Sequence, residues 1–303
     1  MIAEIGYRLA TANVALCDVV QPGTGLVLHT IDAYDPLMRP SVRQFFKLVG
    51  NVGVEGVVPG SPADRAGIKP DDVVTAIGGM AIDVEPEDRA TVSTLARLTD
   101  RIARLPADRV ITVDIARNGV ARSVSIHPVP ICRARFELSV SSNIDASSDG
   151  LTVQITSALL AKVNRDEAAV VIAHELAHNI LHHQPRLQAI GVKGGLMAGL
   201  GRNVRYYRQT ETQADILSVY LLANAGYDPM APVTFWNGAG KRFFSGLFSD
   251  RSHPKIADRV ATMAREADTI AKRRERPILP AILDTRTAPL DGDWRSILIE
   301  NRP

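Results

Sequence analysis

Apolar positions along this chain follow two rhythms. Between residues 51 and 130 they come in short runs, at 52–58, 73–77, 110–115 and 123–126, separated by Gly, Pro and Asp turn signals. That spacing predicts a small β-rich domain. One longer stretch there, residues 87–105, has helical spacing. From residue 131 onward apolar residues recur mostly at three- and four-residue intervals, which predicts helices. Pro128 and Pro130 mark the boundary. Residues 1–50 read as an N-terminal segment with a helix over 41–49 and a loop at 21–25. The expected division is therefore 1–50, 51–130 and 131–303, and the fold class is α+β.

The most informative segment is residues 164–184, NRDEAAVVIAHELAHNILHHQ. Asn164 with Glu167 three residues later has the form of a capping box. Ala168, Val171, Ile172, Leu176 and Ile180 follow at helical spacing, and Pro185 is expected to end the run. His174 and His178 then share one face, about 6 Å apart along the axis. Two imidazoles so placed can both reach one zinc ion at about 2.0–2.1 Å. Glu175, one residue round the helix, stands where a carboxylate can take a proton from water. A surface helix with two solvated histidines is the plain alternative; the capped, apolar context argues against it. His182 lies about 12 Å along the same axis from His174, too far to share the metal with both histidines. His182 and His183 therefore read as polar residues at a helix end, where positive charge is favourable.

Zinc needs a third protein ligand and an open position. A second helix over residues 206–225, stopped by Gly226 with Pro229 beyond, carries Glu211 and Asp215 four apart. Glu211 is the candidate third ligand. Asp215 is placed to hydrogen-bond a ligand histidine.

Composition narrows the rest. The 303 residues are 46% hydrophobic and 22% charged, with a net charge of +2, an ordinary globular balance that gives no reason to expect nucleic acid as a partner. No apolar run approaches the ~18–20 residues of a membrane span, and the first residues show no secretory leader. The glycine-rich residues 191–201 suggest a mobile lid. Cys17 and Cys132 allow one disulfide in an exported protein or two buried thiols. His29 and His127 have no evident partners and are taken as structural.

Two resemblances add to this reading. Residues 57–63 (VVPGSPA) and 66–74 (AGIKPDDVV) resemble the PDZ domain of bacterial envelope proteases. Such domains capture chain ends by adding a strand to a sheet edge. Their carboxylate-cradling glycine loop should precede the strand at 52–58, yet residues 39–50 (RPSVRQFFKLVG) look helical and show none.

The pairing of HELAH (174–178) with ETQAD (211–215) resembles the zinc metallopeptidases of the CAAX-prenyl-protease and HtpX type, peptidase family M48. Residues 149–156 are similar to that family's edge strand, 225–229 to the segment after its ligand helix, and Ser252-His253-Pro254 with Arg259 to its late His-Pro element. The resemblance implies a mainly helical zincin (gluzincin) domain. It implies one Zn²⁺ on His174, His178 and Glu211, with Glu175 as general base and Asp215 as an orienting residue. His253 and Arg259 become candidates for steadying the active site or the oxyanion. Endoproteolysis of unfolded or misassembled protein is the expected activity. A PDZ-led chaperone or adaptor with latent proteolysis is the alternative. The expected partners are protein or peptide substrates and a peptide ligand of the PDZ-like domain. The expected location is the cell envelope or periplasm if a leader has been removed, and otherwise the cytoplasm. The best-known members of the family are integral membrane enzymes, and the lack of a spanning helix here argues against a prenylated, membrane-buried substrate.

Overall fold

The computed structural model describes residues 1–82, 85–192, 203–244 and 253–298. The chain divides into two compact units, one of Met1–Asp18 with Ala134–Pro303, the other of Val19–Arg133. The expected separate N-terminal segment, 1–50, is therefore split. Its first helix, α1 (Ile2–Ala12), has an apolar face of Ile2, Ile5 and Leu9, and burying that face requires the helical unit. Residues 19–50 instead supply strands to the β-rich unit.

The β-rich unit begins with β1 (Val20–Gly23), β2 (Leu26–Thr30), the short helix α2 (Arg39–Phe45) and β3 (Val52–Val57). It continues through α3 (Pro62–Arg65), β4 (Val73–Ile77), β5 (Met80–Ala81), α4 (Ser93–Ala103), β6 (Ile111–Arg117), β7 (Val120–Ile126) and β8 (Val129–Cys132). The main sheet runs β2-β3-β4-β6-β7, with β5 paired to β4, while β1 pairs with β8. Val54, Ile68, Ile77, Val113 and Ile126 form its core, capped by Leu98 and Ile102 of α4. Ser61 caps α3 by accepting from Asp64 N–H. Asp72 pairs with Arg117, Nε to Oδ1 2.6 Å.

A glycine-bearing turn does precede a strand of this sheet, though not at residues 39–50. Gly23-Thr24-Gly25 leads into β2, the edge strand, and α4 packs beside that strand. The chain joins this sheet through β2, passes out through α2 and returns as β3, so this turn lies ahead of β2 and not ahead of β3. Gly25 has φ +77°, and a Cβ there would overlap the Ser61 side chain; both facts require glycine.

The helical unit resumes with a small sheet, β9 (Arg135–Ser139), β10 (Ala146–Ser148) and β11 (Thr152–Thr156), in the order β10-β11-β9. β9 and β11 are parallel, and β10 is antiparallel to β11. Residues 149–156 are thus not the edge. Their strand β11 is bonded on both sides, and the edges are β9 and the hairpin partner β10. The helices follow: α5 (Ser157–Leu160), α6 (Arg165–Ile180), α7 (His183–Ala189), α8 (Val204–Asn224), α9 (Ala231–Asn237), α10 (Ala239–Phe244) and, last, α11 (Ile256–Ala271). Helix α6 packs along α8, α11 lies against α8 and α9, and α1 lies against α6 and β9. Gly6 of α1 lets the Phe136 ring press onto the helix backbone, where any Cβ would collide with it.

Asn164 and Glu167 form the full capping box of α6. The helix does not run on to Pro185. It stops at Ile180, and His182 takes left-handed backbone, φ +54°. A new helix, α7, then starts with Pro185 in its first turn, where proline's missing N–H costs nothing because first-turn donors have no helical partner. Both cysteines are disulfide-bonded. Among the described residues no helix is long and apolar enough to cross a membrane. The expected lid, 191–201, falls almost entirely outside the described residues.

Candidate metal centre

Helices α6 and α8 bring the predicted donors together. His174 Nε2 is 3.2 Å from His178 Nε2 and 3.2 Å from Glu211 Oε2, and His178 Nε2 is 3.5 Å from Glu211 Oε1. One donor atom from each of the three residues lies within 4.8 Å of the others. Two imidazole nitrogens and a carboxylate converging from two helices fit zinc, which takes such a donor set and keeps a fourth position open in catalytic sites. They also lack the soft thiolates of a closed structural site. The histidines and Glu211 are largely buried, with side-chain exposures of 12–15%.

The site is supported from behind. His174 Nδ1 lies 3.2 Å from Asp215 Oδ1, so the carboxylate faces the back of the ring. Asp215 in turn accepts two hydrogen bonds from Arg259, Nε to Oδ2 at 2.6 Å and Nη2 to Oδ1 at 2.7 Å. Arg259 stacks on Trp236, Cζ 3.8 Å from the ring centroid. The guanidinium is thus engaged with Asp215 and Trp236. His253, from the loop before α11, reaches the metal-facing side, Nε2 3.1 Å from Glu211 Oε2.

Charge follows this geometry. Burial alone would lower the His174 pKa, but Asp215 and Glu211 outweigh it and raise the value to about 10. Burial lowers His178 to about 4 despite Glu211. Glu211 would be raised by burial, yet the facing histidines hold it well below the usual carboxylate range. Glu175 is raised to about 7, chiefly by burial, with His174 opposing. A carboxylate near neutrality is suited to take a proton and give it back.

One partner was invisible in the sequence. His183, read as a polar helix end, is buried, and its Nδ1 lies 2.9 Å from His178 Nδ1. No sequence signal marks the left-handed turn at His182 that folds His183 back, since the residue that turns is neither Gly nor Asn. His182 itself reaches Asp18, Nε2 to Oδ2 2.7 Å.

The cavity over the donors has a volume of about 420 Å³. His174, Glu175, His178, Glu211, His253 and Arg259 all line it. So does the edge strand β10, through Ala146, Ser147 and Ser148.

The profile of peptidase family M48 matches residues 135–200 and 194–267, and the PDZ domain profile matches 53–117. Residues 135–267 belong to peptidase family M48. The M48 region therefore holds every predicted site residue, and a PDZ domain precedes it. No curated protein matches the chain. Among solved structures, an HtrA-type protease AlgW with a decapeptide is similar at 18% identity, covering 37% of this chain and 30% of that one, with a TM-score of 0.29. The HtrA3 PDZ domain bound to a phage-derived ligand is similar at 17% identity, covering 37% of this chain and 88% of that one, with a TM-score of 0.27.

Proposed function

We propose that this M48 peptidase is a zinc-dependent endopeptidase acting on extended segments of unfolded or misassembled protein. The observation that carries the reading is the meeting of His174, His178 and Glu211 beside Glu175, under an open strand edge. Zinc held by His174, His178 and Glu211 would supply Lewis-acid chemistry, polarising a carbonyl and acidifying water. Glu175 takes the proton of the attacking water and passes it to the leaving amine. Asp215, clamped by Arg259, holds the His174 ring in place. His253, beside Glu211, is positioned to steady charge developing on the substrate oxygen.

The edge of β10 supports the endopeptidase reading. A substrate strand added to it runs along the cleft, and its recognition rests on main-chain hydrogen bonds more than on side chains. Unfolded chains offer such segments and folded ones do not. A quality-control role follows. In the PDZ domain, the groove between β2 and α4, opening at Gly23-Thr24-Gly25, supports capture of a peptide or chain end. The disulfide-bonded cysteines support an oxidising compartment such as the cell envelope.

The test is hydrolysis of an unfolded protein by the wild-type chain and by Glu175→Gln, with zinc measured on both. Cleavage by wild type alone, at equal zinc, is expected. Equal cleavage by both would overturn the role of Glu175. Zinc on both without cleavage would favour the alternative of a PDZ-led adaptor, which the β2–α4 groove suits.

A further inference from the structure

The two ligand histidines are supported in chemically different ways. His174 and His178 turn their Nε2 atoms toward each other and toward Glu211. A metal there needs both Nε2 lone pairs, so each ring must carry its proton on Nδ1. For His174 the group facing that proton is the carboxylate of Asp215. For His178 it is another imidazole, His183 Nδ1 at 2.9 Å. Two facing Nδ1 atoms can hold one proton between them. With the proton on His178, His183 must accept through Nδ1 and keep its own proton on Nε2.

The surroundings of His183 fix that tautomer. Its Nε2 lies 3.1 Å from Gln213 Oε1, an acceptor. The same oxygen also accepts from Arg186 Nη1 at 3.2 Å. Arg186 is held in turn by the carbonyls of Leu181 and Ala288, at 3.1 and 3.0 Å. Gln213 sits on α8 midway between Glu211 and Asp215, so this helix supplies a ligand and support for both ligand histidines. His183, Gln213 and Arg186 are all buried, so water does not compete for these positions.

We infer that His183, held by Gln213, is a positioning residue that fixes the Nδ1-protonated tautomer and ring orientation of His178 for metal binding. This rests on the zinc reading proposed above. Partners of this kind typically change metal affinity by about ten- to a hundred-fold when removed.

The experiment measures zinc affinity by chelator competition at fixed pH in the full chain. The variants are His183→Phe, His183→Asn and Gln213→Leu, with Leu159→Ala as a core control. His183→Phe keeps a ring but removes the acceptor, and a loss of about ten- to a hundred-fold is expected. His183→Asn puts an amide oxygen near the position of Nδ1 and is expected to recover most of that loss. Leu159→Ala should lower Tm without changing affinity. If His183→Phe does not fold, Gln213→Leu decides, because it leaves the His183 ring in place and frees its tautomer. A weakened zinc site supports the inference, and an unchanged one overturns it. Equal affinity in wild type and His183→Phe would overturn the positioning role while leaving the zinc reading intact. Failure of the wild-type chain to bind one zinc would overturn both.

Discussion

Arg259 holds Asp215 through two hydrogen bonds, 2.6 and 2.7 Å, and both side chains are about 2% exposed. The pair sits directly behind His174, so it links α11 to the metal centre. Its value lies in what removal leaves behind. In Arg259→Leu, Asp215 would lose its guanidinium and both hydrogen bonds and keep only His174 as a buried partner, and breaking a buried ion pair costs about 3–5 kcal/mol. A large drop in thermal stability of the M48 domain is expected, read from the fluorescence of Trp236 and Trp294. Arg259→Lys should recover little, because one ammonium can neither bond both oxygens nor stack flat on Trp236.

Zinc uptake should release protons. With His174 raised to about 10 and His178 lowered to about 4, the metal-free site at pH 8 holds His174 as the imidazolium and His178 as the neutral imidazole. Binding must displace the second proton of the imidazolium, so about one proton per zinc is expected. Apparent affinity should then rise about tenfold per pH unit until His174 loses its proton unaided. Calorimetry in buffers of different ionisation enthalpy measures the proton count directly. A count of zero would contradict the coupling of His174 to Asp215 and Glu211.

The acid limb of the activity profile should report Glu175. The metal-free site raises its pKa to about 7, and a bound cation favours the ionised form. Activity should therefore fall as pH drops through a midpoint below about 7, because the protonated carboxyl cannot accept the proton of water. The measurement is kcat/KM against pH on zinc-loaded enzyme. A limb set by Glu175 moves in Glu175→Asp, and one that stays fixed would assign the base elsewhere.

In the PDZ domain, Gly25→Ala should damage the entry to the β2–α4 groove. The residue has φ +77°, and its new Cβ would overlap Ser61. Left-handed backbone at a non-glycine costs of order 1–3 kcal/mol before any overlap. Loss of peptide binding with unchanged cleavage of a short unfolded substrate is the expected pattern, read by fluorescence anisotropy and by a peptidase assay.

The centre was legible because its parts obey local rules. A capping box, a four-residue spacing of histidines and a four-residue spacing of acids placed His174, His178, Glu211 and Asp215 on helix faces before any tertiary contact was known. What stayed hidden depends on where the chain turns. The helix break at Leu181–His182 carries no glycine, so His183 looked like a solvated end and Pro185 like a stop. The resemblance pointed to 149–156 as the edge strand, and no local pattern marks which member of a hairpin lies outermost. The hairpin partner Ala146–Ser148 is short and polar, and polarity suits an edge that is not to be covered permanently. The glycine-bearing turn before β2 escaped for a topological reason, since no local pattern says which strand opens a sheet.

The placement of α1 sets a timing problem for biosynthesis. Residues 2–12 leave the ribosome well before the elements that α1 packs against, β9, α6 and α8, which all lie from residue 135 onward. The whole β-rich unit, residues 19–133, is made in between. Domains form as units during synthesis, in N-to-C order, so the PDZ domain is complete while α1 still waits with its apolar side uncovered. Helix α1 thus docks only after the PDZ domain has been made, and the nascent chain must shelter its apolar side until β9 and α6 arrive.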